Sequence, residues 1–324
     1  MTLAVAKAHE FIIADAAAPL PDALRLCVAA LGNFDGVHRG HKGVIARALA
    51  LARRLGRPCA VLTFEPHPAD FFGRGPVIFR LTPAAAKARA LERLGLDGMI
   101  VAGFDAGLAG LSAEQFIKDI LVGRLAVSAI VAGYDFHFGA RRQGTPEFLK
   151  AEGGRLGFGV EIVDKIAADA AGSLDAVSST AIRAALEAGD VFRARELLGH
   201  DYFVLGEVAH GQKLGRKLGF PTANIRLDPS CRLAHGIYAV RMTVDGVTHD
   251  GVASFGRRPT FDNGAPLLEV FVFDFDGDLY GKAAEVAFIG WIRGEAKFAA
   301  ADALTAEMQR DAAAARAMLS PRGM

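Results

Sequence analysis

Two stretches of the chain concentrate residues suited to phosphate chemistry. The first is Gly32-Asn33-Phe34-Asp35-Gly36-Val37-His38-Arg39-Gly40-His41, set between the apolar run 26–31 and a helical periodicity over 41–55. A helix N-terminus presents unpaired N–H groups and partial positive charge to an anion. His38 and His41, three apart, straddle that junction and can both face it. Neither GxGxxG nor GxxxxGK[ST] occurs anywhere in the chain. Phosphate would then be met by imidazoles and a helix dipole rather than by a P-loop or a dinucleotide turn. Such a site suits attack on a nucleotide α-phosphate, where charge grows as pyrophosphate leaves. A His-x-x-His pair taken alone is equally at home on a surface or in a structural role. Zinc would need a third clustered ligand that this stretch lacks.

The second stretch runs from Gly206 to Ile225 and includes Gly211, Gly215, Arg216, Gly219, Phe220, Pro221, Thr222 and Asn224. Glycines with basic residues make a loop whose N–H groups can close over phosphates, although such loops also occur as plain hairpins. Thr222 and Asn224 alternate, so on an extended segment both side chains point the same way. A hydroxyl and an amide oxygen are hard ligands, suited to Mg²⁺ beside a nucleotide. Glu269 stands in the apolar run Leu267-Leu268-Glu269-Val270-Phe271. A carboxylate there must be functional, edge-exposed or paired, since burying it unpaired is costly. Two further groups complete the candidates. Ser178, Ser179 and Thr180 can cap the next helix while their hydroxyls and Arg183 face phosphates; capping and a solvated helix charge are the alternatives. Asp135 follows the fourth apolar run, where a carboxylate could hold a ribose or an ammonium, or simply make a turn.

The elements that must position these residues differ between the halves. In the first, apolar runs at 26–31, 60–64, 99–102, 129–132 and 160–163 alternate with helical stretches at 41–55, 82–94 and 112–125. Ser112 and Gln115 have capping-box spacing. Strands apolar throughout and separated by helices imply a doubly wound parallel sheet. After two short helices (181–188 and 190–198) come period-two strands at 202–208, 237–244, 247–253, 267–275 and 285–292. Asp245-Gly246 is a two-residue hairpin signal. An antiparallel barrel with a terminal helix over 302–319 is expected.

Composition bounds the rest. The 324 residues carry 37 Lys+Arg against 36 Asp+Glu, so no basic field points to nucleic acid or a membrane surface. No run of about 18 apolar residues exists, and Met1 to Lys7 lacks the pattern of a secretory signal. Cys27, Cys59 and Cys231 show no CxxC spacing and read as small buried residues. A cytoplasmic protein of two domains, a monomer or weak homo-oligomer without nucleic-acid or membrane partners, is the expectation.

The whole first loop resembles the GxFDGxHxGH signature of nucleotidylyltransferases, in their FMN adenylyltransferase branch. Thr63-Phe64-Glu65-Pro66-His67-Pro68, Arg80-Leu81-Thr82, Gly133-Tyr134-Asp135-Phe136-His137-Phe138-Gly139 and Val177-Ser178-Ser179-Thr180-Ala181-Ile182-Arg183 are similar to further motifs of that branch, in its order. The second stretch resembles the GxGRxLGFPTAN signature of riboflavin kinases. Gly236-Ile237-Tyr238, Gly256-Arg257-Arg258-Pro259-Thr260-Phe261 and Asp274-Phe275-Asp276-Gly277-Asp278 follow in that family's order. Together the motifs are similar to the bacterial bifunctional riboflavin kinase/FMN adenylyltransferases.

The resemblance implies domains at 1–186 and 201–324 joined by a helical linker at 187–200. It implies substrates riboflavin, FMN and ATP, and Mg²⁺ at Thr222 and Asn224. Nucleotide would be bound by Gly32 to Gly36, His38, His41, Asp135, Ser178 to Thr180, Arg183 and the 211–224 loop. Glu269 would be the kinase base, with His38 and His41 catalytic for adenylyl transfer. Arg310 and Arg316 would shape the flavin pocket, or be solvated helix charges. His137, Ala181, Ser254 and Phe271 depart from the usual Arg, basic residue, Asn and His. Two rivals are a single-activity transferase whose barrel only binds flavin, against which the Thr222/Asn224/Glu269 set speaks, and a protein that stores or senses flavin, which a yellow purified protein without ATP turnover would support.

Overall fold

The computed structural model describes residues 10–73, 77–164, 177–209, 220–257, 266–298 and 300–320. The chain forms two compact units, one of residues 1–78 with 87–177 and the other of residues 79–86 with 178–324.

The first unit is a parallel sheet with helices. Its strands are β1 (Ile12–Asp15), β2 (Val28–Leu31), β3 (Cys59–Glu65), β4 (Gly98–Gly103), β5 (Ala129–Gly133) and β6 (Gly159–Val163), in the order β1-β4-β3-β2-β5-β6. All four residues of β2 are buried, which is why its run reads apolar without alternation. The chain winds from β2 outward through β3 and β4, then returns to β5 on the other side of β2. The crevice beyond the carboxyl ends of β2 and β5 is therefore the topological switch point. Helix α1 (Arg39–Leu55) buries Val44, Ile45, Ala48, Leu51 and Ala52 at helical spacing and stops at left-handed Gly56.

Helices α2 (Pro68–Phe72), α3 (Ala84–Glu92), α4 (Ala106–Gly110), α5 (Ala113–Gln115) and α6 (Pro146–Leu156) follow. The Ser112/Gln115 capping box is present in both directions. Beyond it, Phe116–Arg124 winds as a π-helix rather than the regular helix expected. Strand β1 was also not foreseen. It is a short edge strand whose Ile13 is exposed, so no buried run marks it.

In the second unit α7 (Ser179–Glu187) and α8 (Val191–Leu198) precede a closed antiparallel barrel. Its strands are β7 (Phe203–Ala209), β8 (Thr222–Arg226), β9 (Gly236–Val244), β10 (Val247–Arg257), β11 (Pro266–Val272) and β12 (Ala283–Gly294), in the order β10-β11-β8-β7-β12-β9. Asp245 and Gly246 have φ of 50° and 79°, the positive pair a tight hairpin demands. The terminal helix α9 (Ala301–Leu319) packs Ala315 and Leu319 against Ala239 and Phe273. Arg293 on β12 holds Asp311 of α9 through two bonds of 2.8 and 2.6 Å. Cys27, Cys59 and Cys231 are buried, and burial pushes the Cys27 and Cys59 thiols up to about 12. They are structural, as their surroundings in the sequence imply.

Candidate active sites

The first candidate site lies at the switch point. Leu31 pairs with Ala132 and with Leu62, so the loops after β2 and β5 and the end of β3 leave the sheet side by side. The 32–41 loop is strained: Phe34, Gly36 and Val37 have φ of 50°, 87° and 43°. Two non-glycine residues in the left-handed region cost on the order of 1–3 kcal/mol each. Burial of Phe34 at 1% exposure and Val37 at 0% offsets this by a similar amount, about 1.5–3 kcal/mol per side chain. Asp35 is buried at the loop's centre.

His38 is the N-cap of α1: its Nδ1 accepts the His41 N–H at 3.3 Å. The neutral ring therefore carries its proton on Nε2. Gly40 makes room for it, because a Cβ there would lie 3.2 Å from His38 Cε1. The His38 and His41 rings stack with centroids 3.6 Å apart, and Phe34 meets His41 edge-on at 5.2 Å. His41 Nδ1 is buried without a hydrogen-bond partner. Desolvation, then His38 and Lys87, hold the His41 pKa well below the ordinary imidazole value. His41 therefore stays neutral, stacked on the capping ring of His38.

Across the crevice, Asp135 is exposed on the loop after β5, and its carbonyl bonds His137 Nδ1 at 2.9 Å. Ser178, Ser179, Thr180 and Arg183 belong to the second unit. Ser178 caps α7 by accepting the Ala181 N–H at 3.2 Å, and Arg183 Nε donates to the Phe79 carbonyl at 2.7 Å.

The second candidate site is a row across strands. Register places Glu269 of β11 opposite Asn224 of β8 on one side and Ser254 of β10 on the other. Directly opposed residues project to one face, so register alone assembles amide, carboxylate and hydroxyl. Leu268 and Val270 are fully buried while Glu269 and Phe271 are half-buried, which sets the row on the face away from the barrel core. Asn224 is 8% exposed, and its Nδ2 donates to the Thr222 carbonyl at 3.4 Å. Phe220 meets Phe271 at 5.0 Å, and Phe271 meets Phe273 at 5.8 Å. Arg316 lies 4.2 Å over Phe273 and grips Asp274 through two 2.8 Å bonds. That pairing holds the Asp274 carboxyl below the usual carboxylate range. Arg310 is bonded to Glu307 on its own helix. Pro221 is exposed. Gly211, Gly215, Arg216 and Gly219 lie outside the described residues.

Comparison with known proteins decides the family. A family model described as FAD synthetase matches residues 20–181, and one described as riboflavin kinase matches residues 198–319. A Pseudomonas fluorescens bifunctional riboflavin kinase/FMN adenylyltransferase is 42% identical over 92% of this chain and 94% of its own. Its Escherichia coli K12 counterpart is 38% identical over 90% of this chain and 92% of its own. The chain belongs to the bifunctional riboflavin kinase/FMN adenylyltransferases. A crystal structure described as a macrolide-efflux protein from Streptococcus pneumoniae superposes with a TM-score of 0.79 at 30% identity, covering 93% of this chain and 97% of that one. Among the described residues no helix is long and apolar enough to cross a membrane.

The enzyme is therefore a riboflavin kinase and FMN adenylyltransferase that uses ATP and makes FAD from riboflavin. Its structure also brings forward residues that the sequence reading missed. Lys87 of α3 is 1% exposed; its Nζ bonds Glu65 Oε1 at 2.8 Å and Thr63 Oγ1 at 3.1 Å. The signal was available in helical phase, since Lys87 precedes buried Leu91 by four residues on the packed face. The Phe220/Phe271/Phe273 cluster could not be found that way, because it needs the pairing of β8 with β11.

Proposed function

We propose that the histidine loop of the first unit adenylylates FMN and that the Asn224/Glu269 row of the barrel phosphorylates riboflavin. The stacked His38/His41 pair at the start of α1, with His41 held neutral, carries the first half of this reading. Nε2–H of His38 and the helix N-terminus meet the α-phosphate of ATP as pyrophosphate leaves and the FMN phosphate attacks. Gly32, Asn33, Phe34, Asp35 and Gly36 shape the nucleotide site, with Asp135 opposite; Ser178, Ser179, Thr180 and Arg183 of the second unit keep their assignment to nucleotide phosphates. Functional limits of 1–186, 187–200 and 201–324 go with this assignment.

In the barrel, Glu269 takes the proton from the flavin 5′-hydroxyl as that oxygen attacks the γ-phosphate. The register Glu269–Asn224 supports this role by holding a base beside a polar ligand. Thr222 and Asn224 fit Mg²⁺: the Asn224 amide N–H₂ is turned to the Thr222 carbonyl, which leaves its oxygen as the acceptor. Magnesium takes few protein ligands and keeps waters or phosphate oxygens. When bound it would supply positive charge against the ATP phosphates. Gly211, Gly215, Arg216, Gly219, Phe220 and Pro221 are assigned to the nucleotide phosphates, and the Phe220/Phe271/Phe273 cluster, with Arg316 over Phe273, receives the flavin ring, Arg310 being assigned to the same pocket. A cytoplasmic enzyme, monomeric or weakly self-associating and without nucleic-acid or membrane partners, is consistent with its balanced charge and buried thiols.

A chromatographic time course with riboflavin, ATP and Mg²⁺ tests the division. The native enzyme is expected to yield FMN and then FAD. His41→Ala should stop at FMN, and Glu269→Gln should leave riboflavin untouched while converting supplied FMN to FAD. Loss of both activities in one folded variant would sink the two-site assignment.

A further inference from the structure

Lys87 is the one lysine among the largest fully buried side chains of the described residues, and nothing in the two reactions as assigned above uses it. Its surroundings form a directed chain. An ammonium can only donate, so the Thr63 hydroxyl must accept from Lys87 Nζ at 3.1 Å and spend its own proton elsewhere. That proton goes to the Asn33 carbonyl, 3.0 Å away. Glu65, at 2.8 Å, balances the charge and fixes the ammonium from a second side. Thr63 is fully buried, so water does not compete for these groups.

The target of the chain is the strained loop. Asn33 precedes Phe34, whose φ is 50°. In a trans peptide the carbonyl and the following N–H point in opposite directions. Pinning the Asn33 carbonyl onto Thr63 therefore turns the Phe34 N–H away from β3. Among the described residues no backbone group accepts that N–H. An N–H held outward on a phosphate-facing loop is a preorganised donor for developing negative charge.

Resting on the assignment of adenylyl transfer to the histidine loop, we infer that Lys87 is a positioning residue for that reaction: through Thr63 it locks the Asn33–Phe34 peptide so that the Phe34 N–H meets the nucleotide's phosphate. The same buried cation also acts on His41 from α3, while His38 acts on it from the loop. Removing the Lys87 charge should thus let His41 take a proton at higher pH.

The test compares Thr63→Val, Thr63→Ser, Lys87→Met and the Lys87→Met/Thr63→Val pair in the full-length enzyme, with riboflavin phosphorylation as internal control. Thr63→Val keeps the shape but loses the relay, and FMN adenylylation should fall about tenfold or more through kcat. Thr63→Ser should restore most of it, the reverse of what a packing role for the methyl predicts. Lys87→Met should show the same loss, and the acid limb of its adenylylation pH profile should move up while that of Thr63→Val stays. The double variant should be no worse than Lys87→Met alone. Adenylylation by Thr63→Val at the native rate, an unmoved acid limb in Lys87→Met, or losses that multiply would each overturn the inference. Should Lys87→Met not fold, the Val/Ser pair decides. FAD formation surviving in His41→Ala would instead show that the site assignment beneath it is wrong.

Discussion

In the first unit the chemistry-bearing residues come from one ten-residue loop, whereas in the barrel they come from three strands brought together by register. The loop pays with backbone strain at Phe34 and Val37, and it is held by a cap at His38 and by buried side chains beneath it. The row Ser254–Glu269–Asn224 shows no such strain, because ordinary antiparallel pairing already turns the three residues to one face. Loop geometry is local and sensitive to small changes of shape. Row geometry is non-local, tolerant of shape and sensitive only to the identity of the reacting group.

That contrast can be broken or sharpened by substitution. The largest effect is expected from Glu269→Gln, which leaves shape intact and removes the base: kinase turnover should fall by roughly 10²–10⁴, with FMN adenylylation unchanged. His41→Ala should cost adenylylation about 10²–10³-fold, the usual loss of an electrostatic donor, and leave FMN formation alone. Both are read by separating riboflavin, FMN and FAD.

Gly40→Ala adds one methyl group, which would lie 3.2–3.3 Å from the His38 ring and must displace it by a few tenths of an ångström. About a tenfold loss of adenylylation is expected, since misplacement alone costs rate at a preorganised site. A native rate in this variant would show the loop to be less demanding than its strain implies. The smallest effect concerns pH and stability. His41 has a folded pKa below its unfolded one, so in acid the unfolded chain binds a proton that the native state refuses. Stability should therefore fall as pH drops below the ordinary imidazole value, by at most about 1.4 kcal/mol per pH unit. Thermal unfolding at pH 7.5 and 5.5 should show a smaller difference for His41→Asn than for the native enzyme.

Much of this arrangement was legible in the residues. Strands β2 to β5, and the half-buried β6, declared themselves as apolar runs, and the Asp245-Gly246 turn and the Ser112/Gln115 box appeared where their chemistry required. The histidine loop was legible because all its parts are contiguous. What escaped depended on partners distant in sequence. Edge strand β1 pairs only with β4, and half its residues face solvent. Strand β8 is five residues long and read only as an extended segment until β11 and β7 claimed it. The π-helical turns at Phe116–Arg124 still place Phe116, Ile117, Ile120 and Leu121 inside, so the hydrophobic pattern gave no warning. Lys87 was not singled out because its acceptors lie on β3, more than twenty residues away.

Residues 79–86 sit within the span matched as FAD synthetase, yet they pack with the kinase unit. Phe79 is fully buried there beside Tyr202, its carbonyl receives Arg183, and the Arg80 N–H is held by Ser230. The two activities, expected to separate by point mutation, are not expected to separate by a single cut at the border of the units. A gene cut once between residues 86 and 178 gives a kinase fragment that lacks a piece of its own packing and an adenylyltransferase fragment that carries it away.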